Sequence, residues 1–195
     1  MKTDIILSGV GGQGILSIAA IVGRAAMAKN LYIKQAEVHG MSQRGGDVHS
    51  NLRISDKPIY SDLISRGEAD VIISLEPMEA LRYVPYLSAD GWVVTSSSPF
   101  INIPNYPDVA SVVDELGKLP HVVMLDIAEI AAKQNMTKCA NILLLGAAVR
   151  ALHLLSYEEL EESIRDVFAL KGSSVVDLNL QALSTGFHLS DQKNK

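Results

Sequence analysis

Apolar positions in this chain fall into short continuous runs separated by amphipathic stretches, the pattern of a layered α/β fold. Ile5-Ile6-Leu7 is an apolar run followed by glycines, as expected of a central strand covered on both faces. Residues 13–29 then place Ile15, Ile18, Ala19, Val22 and Ala26 at helical spacing, and Asn30 closes that helix. Residues 31–38 read as a second strand, so the chain opens with a βαβ unit. Residues 48–55 alternate: Val48, Ser50, Leu52 and Ile54 fall on one side, and His49, Asn51, Arg53 and Ser55 on the other. This predicts a half-buried strand with Ile59-Tyr60 as its antiparallel hairpin partner.

Further strands are predicted at 71–75, 91–96 and 121–125, and helices at 77–87, 109–116 and 127–134. Residues 96–107 hold three prolines and read as an irregular loop. Beyond it the pattern is helical, over 138–154, 157–168 and 174–185, with Ser156-Tyr157-Glu158-Glu159 as a capping box for the middle helix. The expected fold is one three-layer, Rossmann-like α/β domain over 1–189. Its sheet is mostly parallel with an antiparallel hairpin addition, its C-terminal part is helical, and a polar frayed tail covers 190–195.

Composition narrows the function classes. With 195 residues, 48% apolar and 20% charged, the chain is an ordinary globular one. A net charge of −5, scattered basic residues and few aromatics speak against nucleic-acid binding. No targeting segment is read at the start. The apolar stretch 140–155 is interrupted by Asn141, Arg150 and His153, so no membrane span is expected. Cys139 is the single cysteine, too few for an internal disulfide or a cluster, and a reducing, cytoplasmic setting is expected. Its apolar surroundings predict a buried, inert thiol.

The candidate chemistry lies in two glycine-rich loops, each following a predicted strand. The first is Gly9-Val10-Gly11-Gly12-Gln13-Gly14, which matches the G-x-G-x-x-G dinucleotide fingerprint and opens a helix. The second runs from Glu37 through Gln43-Arg44-Gly45-Gly46. Glycine amides and the Arg44 guanidinium are suited to a phosphate or carboxylate, and the two loops are expected to share one groove. Glu37 either accepts a ribose hydroxyl or braces Arg44. His39 reads as a loop hydrogen-bonder, and His49 as a surface or interface residue; with no third ligand in view they do not predict a metal site. Asn141 either fixes the loop geometry above its helix or caps that helix. Gly146, in mid-helix, predicts close packing against another backbone.

The GVGGQG loop, the EVHGMSQRGG segment at 37–46 and the late Asn141-x-x-Leu144-Leu145-Gly146 resemble the gamma-type subunits of 2-oxoacid:ferredoxin oxidoreductases. EVHGMSQRGG, the most specific of the three, is most similar to the beta subunit of indolepyruvate:ferredoxin oxidoreductase, and 67–73 and 76–82 extend the likeness. The resemblance implies an oxidative decarboxylation in which an arylpyruvate and coenzyme A give an arylacetyl-CoA, CO2 and reduced ferredoxin. It implies that this chain contributes a CoA-binding or partner-facing groove at Gly9, Gly11, Gly12, Gln13, Gly14, Glu37, Gln43, Arg44, Gly45 and Gly46, and no catalytic residue. Thiamine diphosphate, Mg and iron–sulfur clusters are expected on a larger partner, since the chain lacks both a GDG…N motif and cluster cysteines, and none is expected to bind tightly here. A dimer of heterodimers is implied by the family. Pyruvate or 2-oxoglutarate specificity, a free-standing NAD(P) oxidoreductase and a pure assembly module stand as alternatives.

Overall fold

The computed structural model describes residues 1–39, 46–101 and 103–193. Six strands form one sheet: β1 (Lys2–Val10), β2 (Tyr32–His39), β3 (Asp47–Ser55), β4 (Ala69–Ser74), β5 (Leu87–Ser96) and β6 (Val122–Leu125). Their spatial order is β2-β3-β1-β4-β5-β6. β1, β4, β5 and β6 pair in parallel, whereas β3 is antiparallel to both of its neighbours, β1 and β2.

β2 therefore runs in the same direction as β1 but one strand away, so the opening βαβ unit is split by β3. The expected antiparallel strand is present, and its expected partner is not. Ile59-Tyr60 forms no strand, and Tyr60 is 92% exposed. The reason is geometric: both edges of β3 are already occupied, so no edge is left for a hairpin. Residues 56–64 instead lie against the sheet. Arg53 donates to the carbonyls of Ser61 and Leu63 at 3.2 and 3.0 Å, and the Ile64 amide donates to Asn51 Oδ1 at 3.1 Å.

Alternation along β1 assigns the two faces. Ile5 and Leu7 point to a large core that also takes residues of α1 (Ile15–Ala28), α4 (Ile127–Lys133), α5 (Ala140–Ala148), α6 (Tyr157–Phe168) and α7 (Ser173–Lys193). Ile6 points to a smaller core beneath α2 (Pro77–Tyr83) and α3 (Val109–Gly117). These are the three layers expected from the sequence: α1 and α5 lie on one face of the sheet and α2 on the other, while α6 and α7 pack on the outside of α1 and α5.

Helix ends follow local chemistry. Ser156 caps α6, and Glu159 returns the bond to the Ser156 amide at 2.7 Å, the predicted capping box. The helix expected over 77–87 stops at Tyr83. Pro85 cannot supply an amide donor, the chain passes through a 3-10 turn at Val84–Tyr86, and β5 begins at Leu87, earlier than expected. The helix expected over 138–154 is divided into a 3-10 turn, α5 and a second 3-10 turn.

α5 is buried from Asn141 to Ala148 and crosses α7 at unusually short range. A methyl at Gly146 would stand 2.1 Å from the Leu183 carbonyl oxygen, and one at Gly186 would stand 1.9 Å from that of Leu143. The close backbone approach expected of Gly146 is thus made with α7. The frayed tail expected from Ser190 is, in contrast, helix as far as Lys193. Ser190 is buried and donates to the Phe187 carbonyl at 2.8 Å, Asp191 pairs with Arg150, and the Arg150 guanidinium lies 4.7 Å over the Phe187 ring. Polar side chains that read as a tail are tied down by an arginine from another element.

Candidate functional site

The α1 crossover leaves β1 toward β2 on one face of the sheet, and the α2 crossover leaves β4 toward β5 on the other. The carboxyl ends of β1 and β4 thus flank the point where the winding changes direction, the usual crevice for a ligand in this architecture. The first glycine loop sits there.

Four bonds set its shape. The Val10 amide donates to Gln13 Oε1 at 2.7 Å, and Gln13 Nε2 donates to the Leu75 carbonyl at 3.2 Å, so this side chain ties the end of β1 to the residue after β4. Asn141 Nδ2 donates to the Gly14 carbonyl at 2.9 Å. Gly14 has φ +86°, and a methyl on it would fall 2.7 Å from that same Nδ2, so both conformation and space require glycine. Of the two readings of Asn141, fixing the loop is the one observed. The fourth bond runs from the Gly11 amide to the Gly46 carbonyl at 2.9 Å and joins the first loop to the segment entering β3.

Gly9 lies within β1 opposite Val48, and Glu37 lies on β2 opposite Ser50. Gln43, Arg44 and Gly45 lie outside the described residues, as does any brace between Glu37 and Arg44. Gln13 is placed with the glycines, but its amide is engaged with backbone, which makes it a positioning residue.

A cleft of about 440 Å3 opens beside this loop. Gly12 and Gly14 form one wall, Ser98 and Phe100 another, and Thr137 and Lys138 stand where the chain enters α5. The N-terminus of α1 has no side-chain cap and no acidic residue in its first turn, so its dipole places uncompensated positive potential beside the Gly14 wall. Lys138 adds an exposed cation, and Thr137 and Ser98 carry hydroxyls. The arrangement can hold an anion with several oxygens, such as a phosphate. A second, more apolar hollow of about 300 Å3 lies against Val10, Ile15, Leu16 and Val48 and shares Gly12 and Gly14 with the first.

Sequence reasoning missed Ser98, Phe100, Thr137 and Lys138. Lys138 had a faint signal, since it stands three positions before Asn141 at a predicted helix start. The others carry none, because 96–107 reads only as a proline-rich loop. That loop is held by Glu76, a fully buried carboxylate that caps α2 through the Glu79 amide at 2.8 Å. Glu76 also accepts from the Phe100 amide at 3.3 Å and from the Tyr106 hydroxyl. Burial, aided by the Glu76 carboxylate, raises the Tyr106 phenol well above its ordinary range, so it stays a donor. Ser98 Oγ bonds Asp126 Oδ1 at 2.5 Å and lowers that carboxyl, while Asp126 caps α4.

A second polar cluster lies near the start of β3. Glu79 receives two bonds from Arg82, at 2.8 and 3.2 Å, and faces the Asp47 carboxyl, while the Tyr83 hydroxyl lies 3.4 Å from Asp47 Oδ2. Burial raises the Glu79 carboxyl, Arg82 opposes this, and Asp47 reinforces it. Of the two readings of His49, surface or interface, a freely exposed surface residue is not what is observed. It is half-buried, its ring centroid is 4.8 Å from that of Tyr83, and burial lowers its pKa below the ordinary value. The element that buries it, α2, comes from elsewhere in the chain. Cys139 is buried as expected, and burial raises its thiol. Among the described residues no three histidine, cysteine or acidic side chains converge to hold a metal ion, and no helix is long and apolar enough to cross a membrane.

Comparison with known proteins places this geometry. Residues 4–189 match the family described as pyruvate ferredoxin/flavodoxin oxidoreductase. Indolepyruvate oxidoreductase subunit IorB of Archaeoglobus fulgidus is 37% identical over 196 residues, covering 96% of this chain and 95% of that one. The 2-oxoglutarate synthase subunit KorC of Methanocaldococcus jannaschii is 30% identical, covering 98% and 96%. The gamma subunit of keto/oxoacid ferredoxin oxidoreductase from Geobacter sulfurreducens superposes with a TM-score of 0.70 at 25% identity, covering 97% and 99%. The chain therefore belongs to the pyruvate ferredoxin/flavodoxin oxidoreductase family, among the gamma-type subunits of the 2-oxoacid:ferredoxin oxidoreductases.

Proposed function

We propose that this chain is the coenzyme A-holding subunit of an arylpyruvate:ferredoxin oxidoreductase of the cytoplasm. The observation that carries the reading is the convergence of the glycine loop, the uncapped end of α1 and Lys138 on one cleft. Open backbone at Gly12 admits a phosphate close to the amides, since a methyl there would meet nothing within 4 Å. Lys138 neutralises charge at the same wall, and Gln13 and Asn141 keep the loop from closing on it. On this reading Gly11, Gly12 and Gly14, together with Gln43, Arg44, Gly45 and Gly46 of the second loop, bind or frame the anionic part of the cofactor. The thiol arm leaves by the mouth of the cleft.

Thiamine diphosphate, on a larger iron–sulfur subunit, would supply the carbanion chemistry. This chain supplies orientation: it fixes the acyl acceptor and leaves bond breaking to its partner. The EVHGMSQRGG segment and the full-length identity to an indolepyruvate oxidoreductase subunit favour an arylpyruvate over pyruvate or 2-oxoglutarate.

The strand order counts against the dinucleotide alternative. In a dinucleotide fold the ribose-binding carboxylate ends the strand beside β1. Here that neighbour is β3, and Glu37 on β2 is displaced by one further strand spacing, about 4.8 Å. The test is a titration of the purified complex with CoA and with NAD(P)H. CoA binding that Lys138→Ala and Arg44→Ala weaken, with assembly intact, supports the reading. Nicotinamide binding without CoA binding, or assembly lost with CoA affinity unchanged, overturns it.

A further inference from the structure

The loop beside the cleft carries an apolar ridge. Among the described residues eleven large hydrophobic side chains are exposed, and three of them, Phe100, Ile101 and Ile103, fall within four consecutive positions. They are 45%, 66% and 37% exposed. No charged residue occurs between Asp90 and Asp108, so the segment that carries the ridge is itself uncharged. A segment that is apolar at its centre and itself uncharged has the composition of the buried middle of a protein interface.

The ridge is also preset. Glu76 holds it from beneath through the Phe100 amide and the Tyr106 hydroxyl, and the Tyr106 amide donates to the Ile103 carbonyl at 3.3 Å. Pro99 and Pro104 restrict the backbone on either side. A surface ordered before contact loses less entropy on binding.

We infer that Phe100, Ile101 and Ile103 form the contact on which the larger, thiamine-diphosphate-bearing subunit docks; this rests on the function proposed above. Position decides the occupant. Phe100 and Pro99 wall the cleft itself, so whatever covers the ridge also stands over the cleft mouth. A thiol held in the cleft must reach the reaction centre through that mouth. A second copy of this chain seated there would close the mouth with a chain that has no thiamine-binding motif.

The test is anaerobic co-expression of this chain, tagged, with the larger subunit of the same organism. Wild type is compared with Ile101→Asp/Ile103→Asp, with the milder Ile101→Ser, and with Tyr60→Asp and Leu170→Asp as exposed controls, at 92% and 103% exposure. Circular dichroism of each isolated chain checks the fold. We expect recovery of the larger subunit to fall at least tenfold with the double variant, measurably with Ile101→Ser, and not at all with the controls. Full recovery with a folded double variant overturns the inference. So does a homodimer of wild type that the double variant abolishes while the larger subunit is still recovered. A wild-type chain that recovers no larger subunit refutes the function reading and the ridge together. An intact wild-type complex that fails to bind CoA refutes the CoA assignment alone.

Discussion

Asn141 donates its side-chain amide to the carbonyl of Gly14 at 2.9 Å, across 127 positions of sequence. The bond joins the first turn of the most buried helix to the mouth of the glycine loop. Any shift of α5 is thereby passed to the surface where an anion would rest. Deleting the bond leaves the Gly14 carbonyl with the Ser17 amide, at 3.1 Å, as its remaining donor. Asn141→Ala should cost about 1 kcal/mol in urea unfolding, the net worth of one hydrogen bond. It should also weaken CoA binding to the complex, and an unchanged affinity alongside the lost stability would limit Asn141 to a packing role.

Gly146 and Gly117 make a contrasting pair. Alanine at 146 has no room against the Leu183 carbonyl, so α5 and α7 must part, and a loss of about 3 kcal/mol or more is expected. Alanine at 117, at the end of α3, meets nothing within 4 Å and should be neutral or stabilising by up to about 1 kcal/mol. Thermal unfolding of the two variants checks both signs.

Lys138→Ala should leave the melting temperature unchanged, because the side chain is exposed and serves no core. CoA affinity should fall about fivefold, on the order of 1 kcal/mol, as for an exposed charge. The difference from wild type should shrink as salt rises from 50 to 500 mM, values chosen to span strong screening. Calorimetric titration at both ionic strengths reads this directly.

Acid stability should depend on Asp4. Burial pushes this carboxyl up, but bonds from Arg53 at 2.8 and 3.0 Å and from Lys2 at 2.9 Å outweigh it, and its pKa ends below the ordinary value. A carboxyl lowered by folding stabilises the protein fully above its unfolded pKa, about 3.9. That contribution is lost as pH falls through the lower, folded value. Arg53→Met should reduce it, cost about 1–3 kcal/mol at pH 7 by leaving Lys2 as the remaining cation on the buried carboxylate, and release the carbonyls of Ser61 and Leu63. Urea midpoints from pH 7 to pH 2.5 should fall for wild type; for the variant they should start lower and flatten.

Much of the architecture was legible because its causes are local. Apolar runs marked the strands, and the 3.6-residue repeat marked α1. Ser156 and Glu159 announced α6 to the residue. Gly146 was legible from its cost: a glycine in mid-helix implied a neighbour too close for a methyl, and Leu183 is that neighbour. Part of the site was legible in the same way, since glycines before a helix expose amides wherever they occur. Its other wall was not. Ser98 and Phe100 become cleft residues only because Glu76, from another strand end, holds their loop in place.

By itself the sequence determined which segments are strands and helices, where the anion-type loop lies, and to which family the chain is similar. All of these follow from side chains within a few positions of one another. Only the tertiary structure decided that β3 enters between β1 and β2, that Ile59-Tyr60 remain outside the sheet, and that Lys138 meets Gly14 across one cleft. Strand order and cleft walls depend on pairing and packing between distant segments. No periodicity within a segment records which partner will satisfy its backbone hydrogen bonds.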